Sequence, residues 1–188
     1  SLLAAIASGS NTFPVLEDEM GKNMGGLLNR LEIDYELVKK KRPIMAKDGA
    51  QAVRYEISDL FLRFWFRYFI KYQRYIEVGN LKSLSDIIKQ DYPTYSGQTL
   101  EYYFRQQMAE SFDFEDIGSW WEGKKNSDQH EIDIVGIYTG NKKALVAEVK
   151  RQRKNFKPEI FQEKVDAVRK KVLYKYEIET KCLSMDDM

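Results

Sequence analysis

The fold is decided by the stretch 131–150, which reads EIDIVGIYTGNKKALVAEVK. Two apolar runs are joined through turn residues at 139–141, and this pattern predicts a β-hairpin. Each run contains one acidic residue in an otherwise apolar setting, Asp133 in the first run and Glu148 in the second. Because an unpaired carboxylate in a buried strand is costly, both residues require a partner or a function.

The flanking sequence extends this hairpin into a predicted αβββαβ unit. A helix over about 99–108 follows a predicted turn at 92–97, and a first strand covers 118–122. Pro158 opens a second helix that runs to about Tyr174, and residues 176–184 form the last strand. The residues of this second helix that are predicted to face inward are Ile160, Phe161, Val165, Val168 and Val172.

The two acidic residues predict a metal site. Strand alternation places Glu148 and Lys150 on one face, and the neighbouring hairpin strand brings Asp133 beside them. Two facing carboxylates favour Mg²⁺ or Mn²⁺, and a lysine beside the ion can hold an attacking water and offset charge on a phosphoryl group. The structural alternative is a pair of strand-end carboxylates that form salt bridges with Lys150 and Arg151.

This arrangement resembles the Asp…Glu-x-Lys core of the PD-(D/E)XK, or restriction-endonuclease-like, nuclease superfamily. The separation between Asp133 and Glu148 is 148 − 133 = 15 residues. The resemblance implies that these two residues bind metal, that Lys150 assists the nucleophilic water, and that Glu101 of the preceding helix adds a further catalytic carboxylate. For Glu101, the alternative is stabilisation of the first turn of its helix through the helix dipole. No proline precedes Asp133, which departs from the family pattern.

A narrower resemblance covers nearly the whole chain. The motif FLRFWFR at 61–67, Trp120-Trp121, and the runs 131–135 and 147–150 are similar to the C-terminal region of archaeal-type AAA+ ATPases. The resemblance implies a winged helix followed by a nuclease-like domain, with an N-terminal ATPase domain as the partner that binds ATP. The apolar start of the chain and the lack of a G-x-x-x-x-G-K-[ST] loop lead us to expect a fragment of a larger protein without that domain.

Residues 1–58 are predicted to form a winged helix-turn-helix domain. The pattern indicates three short helices, the third running from about Asn23 to the basic run 39–43, followed by two extended runs around 47–49. In a winged helix, the third helix enters the major groove and the wing lies on the backbone. The residues predicted to lie near phosphates are Lys39, Lys40, Lys41, Arg42 and Lys47. Because residues 1–58 contain eight basic and eight acidic residues, a protein-interaction module is the alternative.

Residues 59–91 are predicted to be linking helices rich in aromatic side chains. The aromatic side chains of 59–75 are expected to be largely buried. Four cations, Arg63, Arg67, Lys71 and Arg74, recur at helical spacing and are expected along one face. The structural interpretation is a core packed between two units, and the alternative is a surface on which single-stranded nucleic acid stacks.

The predicted nuclease-like domain, 92–188, contains the strongest local charge. The net charge of the chain is only +1, but residues 142–157 contain seven cations against Glu148 alone. Such a segment favours DNA as a partner, with a solvated loop as the alternative. The members predicted to contact nucleic acid are Lys142, Lys143, Arg151, Arg153 and Lys154.

Composition excludes several classes of protein. A single cysteine and a single histidine exclude an intrachain disulfide and a Cys/His zinc site, so we expect a reducing, cytoplasmic location. No apolar run approaches the ~18 residues of a membrane span. The sequence therefore predicts an α/β (α+β) protein with no membrane partner, whose oligomeric state is left open. Its function is a Mg²⁺-dependent DNA phosphodiesterase module or, alternatively, a catalytically silent regulatory or DNA- or protein-binding domain. A third alternative is a winged-helix regulator with an effector domain.

Overall fold

A computed structural model describes residues 1–47, 53–122 and 130–188. It confirms a mixture of α and β structure, divided into two units. Unit 1 comprises Ser1–Lys41 and Val53–Tyr92, and unit 2 comprises Arg42–Ala52 and Pro93–Met188. Within the described ranges, no helix combines the length and the apolar character needed to cross a membrane. The division into domains at 1–58, 59–91 and 92–188 stays a prediction.

Unit 1 begins with three short helices and a two-stranded antiparallel sheet. The elements are α1 (Leu2–Ser8), α2 (Phe13–Met20), α3 (Gly25–Ile33), β1 (Val38–Lys41) and β2 (Arg54–Ile57). The first two helices end at Gly9 and Gly21, which adopt the left-handed conformation. Glycine is favoured in this position because it has no Cβ atom to hinder that conformation. Apolar side chains from all five elements form one core, which includes Leu16, Leu28 and Val38.

The basic run lies on a strand, which corrects the prediction that it ends the third helix. Helix α3 stops at Ile33, and Glu36 adopts a positive φ of 54° that turns the chain. Val38 then pairs with Ile57 and is only 1% exposed, so its burial fixes the strand. The predicted extended runs around 47–49 lie partly outside the described residues.

The aromatic segment forms three short helices rather than one regular helix with a single cationic face. They are α4 (Leu60–Phe64), a π-helix (Trp65–Ile70) and α5 (Gln73–Glu77). Tyr68 is buried, but Phe61 is 68% exposed and Trp65 is 40% exposed, so the predicted burial is wrong for these two rings. Arg67 is buried while Lys71 and Arg74 are exposed. The four cations therefore do not share one face, because the wider turns of the π-helix change the spacing of side chains.

Helix α6 (Leu81–Glu110) contains the region predicted as a turn at 92–97, so that prediction is wrong. Pro93 lies inside the helix, where its fixed φ is compatible with helical backbone but its ring removes one N–H donor and crowds the carbonyl four residues earlier. Nearby hydroxyl groups bond back to helix carbonyls, Ser96 Oγ to Pro93 O at 3.4 Å and Thr99 Oγ1 to Tyr95 O at 3.0 Å.

Unit 2 is built on a four-stranded mixed sheet. Its strands are β3 (Phe114–Trp121), β4 (Glu131–Tyr138), β5 (Lys143–Val149) and β6 (Glu177–Leu183), in the order β3-β4-β5-β6. The first three are antiparallel, and β6 is parallel to β5 after helix α7 (Pro158–Lys171). Together with α6, these elements follow the predicted order αβββαβ.

Helices contact both faces of the central strands. Phe161, Val165 and Val168 of α7 pack in one cluster with side chains of β4 and β5. Leu100 and Phe104 of α6 pack in a second cluster with other residues of the same strands. Burial of both faces explains why β4 and β5 are nearly continuous apolar runs. The prediction that Ile160 faces inward is wrong, because its side chain is 47% exposed.

Gly136 is expected to be intolerant of any side chain. A Cβ atom at this position would lie 2.7 Å from Phe114 Cδ1 and 2.9 Å from Met108 Cε. We expect Gly136→Ala to lower the free energy of unfolding by about 1–3 kcal/mol, because the Phe114 ring and the end of the Met108 side chain must shift to relieve the overlap. Urea unfolding followed by circular dichroism measures this change.

Gly97→Ala is the matched control for this prediction. Gly97 lies in α6, and a Cβ atom added there would meet no atom of the described residues within 4 Å beyond the helix's own backbone. The same substitution there should stabilise the protein by up to about 1 kcal/mol, since alanine favours a helix. Equal stability of the two variants would contradict the close packing at Gly136.

Candidate functional site

The predicted metal residues lie where strands β4 and β5 separate. The β4–β5 ladder runs from Ile137–Ala144 to Ile134–Ala147. Beyond it, Asp133 Oδ2 accepts a hydrogen bond from the backbone N–H of Val149 at 2.8 Å. The side chain of Asp133 thus takes the place of a backbone acceptor at the end of the ladder.

A β-bulge in β4 accounts for this position of Asp133. Gly118 of β3 pairs with Val135, and Trp120 pairs with Ile132, so three residue steps of β4 oppose two steps of β3. A bulge redirects the side chains near the extra residue, and bulges are over-represented next to active sites. Here it breaks the strict alternation of β4 at Asp133.

Glu148 of β5 is a buried carboxylate held by two lysines. Its side chain is only 6% exposed. Lys150 Nζ lies 2.7 Å from Oε1, and Lys164 Nζ from helix α7 lies 3.0 Å from Oε1 and 2.9 Å from Oε2. Paired ammonium groups satisfy a carboxylate that would otherwise be costly to bury.

The charges of the site act on one another. Burial raises the pKa of Asp133, and the negative charge of Glu148 raises it further. The hydrogen bond from the Val149 N–H and the charges of Lys150 and Lys164 lower this pKa, but the net shift is upward. Burial alone would lower the pKa of Lys150, but the hydrogen bond and charge of Glu148, with Asp133 and Glu101, raise it overall. Lys150 is therefore a cation at neutral pH and can donate hydrogen bonds.

Glu101 lies near the same lysine, in the middle of α6 rather than in a first turn. The helix begins at Leu81, so the helix-dipole alternative for Glu101 is wrong. Arg105, one turn later, lies 3.7 Å from Glu101 and donates to Ser119 Oγ at 3.1 Å and to Asp133 O at 3.0 Å. Ser119 Oγ also donates to Asp133 O at 2.9 Å. These bonds hold the backbone of the bulge.

Sequence reasoning missed Lys164 and Arg105. Lys164 lies between Phe161 and Val168 on the stripe of α7 that faces the sheet. A charged residue at an inward position of an amphipathic helix was the available signal. For Arg105, the signal was its position four residues after Glu101, which places both side chains on one face of α6.

The donor set fits a hard divalent cation only in part. Within the described ranges, no group of three or more His, Cys, Asp or Glu side chains is placed to hold a metal ion. Mg²⁺ accepts one or two carboxylates and completes its shell with water and phosphate oxygens, so two carboxylates such as Asp133 and Glu148 match the number of protein ligands that it needs. The ion would have to compete with the lysines that contact Glu148.

The basic residues of β1 have acidic neighbours. Lys40 lies 2.6 Å from Glu32, and Lys41 and Lys39 lie 3.2 Å and 3.9 Å from Glu56. Arg42 follows the strand directly. Contacts with DNA phosphates at this strand would require these partly exposed ion pairs to exchange.

The cations of 142–157 form two separate groups. Lys142 and Lys143 lie at the start of β5, and at about 3.3 Å per residue they are roughly 17 Å or more from Glu148. Arg151, Arg153 and Lys154 directly follow Lys150 at the other end.

Several of these cations are already paired. Lys143 lies 3.2 Å from Glu179, and Arg153 lies 2.6 Å from Asp187. Lys142 and Lys154 are exposed, and neither forms an ion pair with a described residue. Of the two groups, the one that follows Lys150 lies close to the carboxylates along the chain.

Comparison with known proteins gives two matches and one negative result. Residues 65–167 match DUF234, described as archaea bacterial proteins of unknown function. An uncharacterized protein of Methanocaldococcus jannaschii, MJECL04, is 32% identical over 160 residues, which cover 79% of this chain. The chain spans about a third of that relative, 34% of its length. No solved structure matches the chain. The DUF234 range includes every residue described above at the ends of β4 and β5.

Proposed function

We propose a function from the premise that the chain belongs to the DUF234 family of archaeal and bacterial proteins of unknown function. The proposal is that unit 2 contains a Mg²⁺-dependent DNA phosphodiesterase site. One observation carries it: Asp133, Glu148 and Lys150 interact where β4 and β5 separate, on an αβββαβ framework. The resemblance to restriction-endonuclease-like nucleases supports the same assignment.

Each side chain has a distinct role in this proposal. Asp133 and Glu148 would hold the metal through carboxylate oxygens, and a bound Mg²⁺ supplies Lewis-acid charge to the phosphodiester. Lys150, kept protonated by its acidic neighbours, donates to the attacking water and offsets charge on the phosphoryl group. Glu101 adds negative charge next to Lys150, and Arg105 fixes the backbone carbonyl of Asp133.

Both units are proposed to contact DNA, and the chain is proposed to follow an ATPase domain in the parent protein. Three helices and a two-stranded sheet in unit 1 support a winged helix, with Lys39 to Lys41 of β1 and Arg42 near phosphates. Arg151, Arg153 and Lys154 would contact DNA beside the metal residues. An ATP-binding AAA+ domain as the N-terminal partner rests on the resemblance alone.

Metal binding by the two carboxylates tests the proposal directly. We expect Asp133→Asn and Glu148→Gln each to weaken Mn²⁺ binding by more than about tenfold, the lower end of what even outer-shell changes cost at metal sites. Isothermal titration calorimetry measures this affinity. Glu163→Gln, an exposed carboxylate on α7, is the matched control and should bind Mn²⁺ as wild type does.

Cleavage of supercoiled plasmid completes the test. Wild type should cut in Mg²⁺ or Mn²⁺ and not with chelator, and Glu148→Gln should be inactive while its circular dichroism spectrum stays unchanged. Mn²⁺ affinity that is equal in wild type, Asp133→Asn and Glu148→Gln would show that the site assignment is wrong.

A second candidate is a catalytically silent regulatory or DNA-binding module. The balance of charge favours it: Glu101, Asp133 and Glu148 are matched by Arg105, Lys150 and Lys164, so the site carries no excess negative charge to attract a metal. DNA binding by wild type without cleavage in any metal would support this candidate against the first.

A further inference from the structure

Lys164 contacts both carboxylate oxygens of Glu148, the same atoms through which this residue would bind a metal ion. Its Nζ lies 3.0 Å from Oε1 and 2.9 Å from Oε2, so one ammonium group bridges both carboxylate oxygens. Lys150, by contrast, makes its close contact with Oε1, at 2.7 Å. A divalent cation that binds Oε1 or Oε2 of Glu148 would have to share that oxygen with a lysine ammonium or displace the ammonium.

The position of Lys164 is fixed by the fold of unit 2. Helix α7 packs on the sheet through Phe161, Val165 and Val168, which are all buried. Lys164 lies on the same stripe, so its aliphatic chain runs along the sheet toward Glu148. The lysine side chain is only 22% exposed, and its charge is therefore weakly screened by water.

We propose that Lys164 is the internal counter-ion of Glu148 in the metal-free protein, and that a divalent cation binds there by displacing the Lys164 ammonium. The inference rests on the proposed metal site and adds a residue that regulates how tightly this site binds metal. Lys164 stabilises a buried carboxylate while metal is absent and lowers the affinity for metal by the same interaction. Metal binding then releases a cation beside the proposed phosphodiester position.

The measurement is Mn²⁺ affinity, determined by calorimetry without DNA. We expect Lys164→Met to bind Mn²⁺ about tenfold or more tightly than wild type, because unit charges separated by a few ångströms interact by several kcal/mol at a protein surface. Lys164→Arg keeps the charge and should bind Mn²⁺ about as weakly as wild type. Lys164→Gln, which keeps a hydrogen-bond donor without the charge, should behave like Lys164→Met and serves if the methionine variant does not fold.

Lys170→Met is the matched control, because Lys170 lies on the same helix and is exposed. It should leave Mn²⁺ affinity unchanged. A purely structural Lys164 would lower thermal stability in Lys164→Met without tightening Mn²⁺ binding.

The outcomes separate this inference from the proposed function. If wild type binds Mn²⁺ through Glu148 and the uncharged Lys164 variants bind no more tightly, the counter-ion proposal is overturned and the metal site stands. If neither wild type nor those variants bind Mn²⁺, both proposals fail. Binding by Lys164→Met where wild type does not bind would support both.

Discussion

Lys150→Met is expected to slow metal-dependent cleavage of DNA by about a hundredfold to a thousandfold, the usual effect of removing one preorganised donor from a reacting centre. Lys150 has a raised pKa through Glu148, Asp133 and Glu101, so it carries a proton that methionine cannot replace. The change is close to the size of lysine and preserves the apolar part of the side chain. Single-turnover cleavage of a labelled duplex in Mn²⁺ measures the rate.

The same variant should keep its metal. Asp133 and Glu148 remain as ligands in Lys150→Met, so Mn²⁺ affinity should equal or exceed that of wild type, whereas Glu148→Gln should lose both binding and cleavage. Lys170→Met provides the control for a methionine in place of a lysine and should cleave at the wild-type rate. A wild-type rate in Lys150→Met would assign Lys150 as a structural partner of Glu148 and would remove it from the reaction.

Strand periodicity was sufficient to place Glu148 and Lys150 together. They lie two residues apart at the end of β5, and the structure gives a 2.7 Å contact between them. The position of Asp133 required more, because a bulge of one residue changes which way its side chain points. Bulges depend on pairing with a neighbouring strand, here β3, and pairing partners are not encoded in the local pattern.

The sequence also could not predict that helix α7 contributes Lys164 to the site, because this contact depends on tertiary packing. Helical spacing correctly assigned Phe161, Val165 and Val168 to the buried stripe. It could not show that Lys164 reaches Glu148, because that contact depends on how the helix docks across the sheet. The predicted turn at 92–97 failed because Pro93 and Gly97 are local signals, and a long helix can include such residues when the rest of its sequence favours the helix.

In the aromatic segment too, residue spacing did not reveal which side chains meet. The segment contains a network of hydrogen bonds and an ion pair around Arg67. The side chain of Arg67 is only 8% exposed. It donates from Nε and Nη2 to Asp91 at 2.5 Å and 2.9 Å, and from Nη1 to Ala7 O at 2.7 Å. Tyr68 donates its hydroxyl to the same aspartate at 2.6 Å. Asp91 thus joins the π-helix to the part of α6 that belongs to unit 1.

Asp91→Ala is therefore expected to lower the free energy of unfolding by about 3 kcal/mol, because it leaves a buried guanidinium without its carboxylate and a buried hydroxyl without its acceptor. Hydrogen bonding by Arg67 lowers the pKa of Asp91, against the effect of burial. The contribution of Asp91 is thus complete above its unfolded pKa and is lost only as pH falls through the lower folded pKa. Thermal and urea unfolding at pH 7 measure it in full.

Asp86→Ala is the matched control, since Asp86 lies on the same helix and forms an exposed ion pair with Lys82 at 3.8 Å. Its effect should stay below about 1 kcal/mol, as for most surface pairs. In a double-mutant cycle, Arg67→Met should cost much less when Asp91 is already alanine, because the unpaired charge has been removed along with its partner. Additive effects of Arg67→Met and Asp91→Ala on the free energy of unfolding would contradict a coupled network. If Asp91→Ala costs no more than Asp86→Ala, the Arg67–Asp91 pair contributes no more than a surface contact.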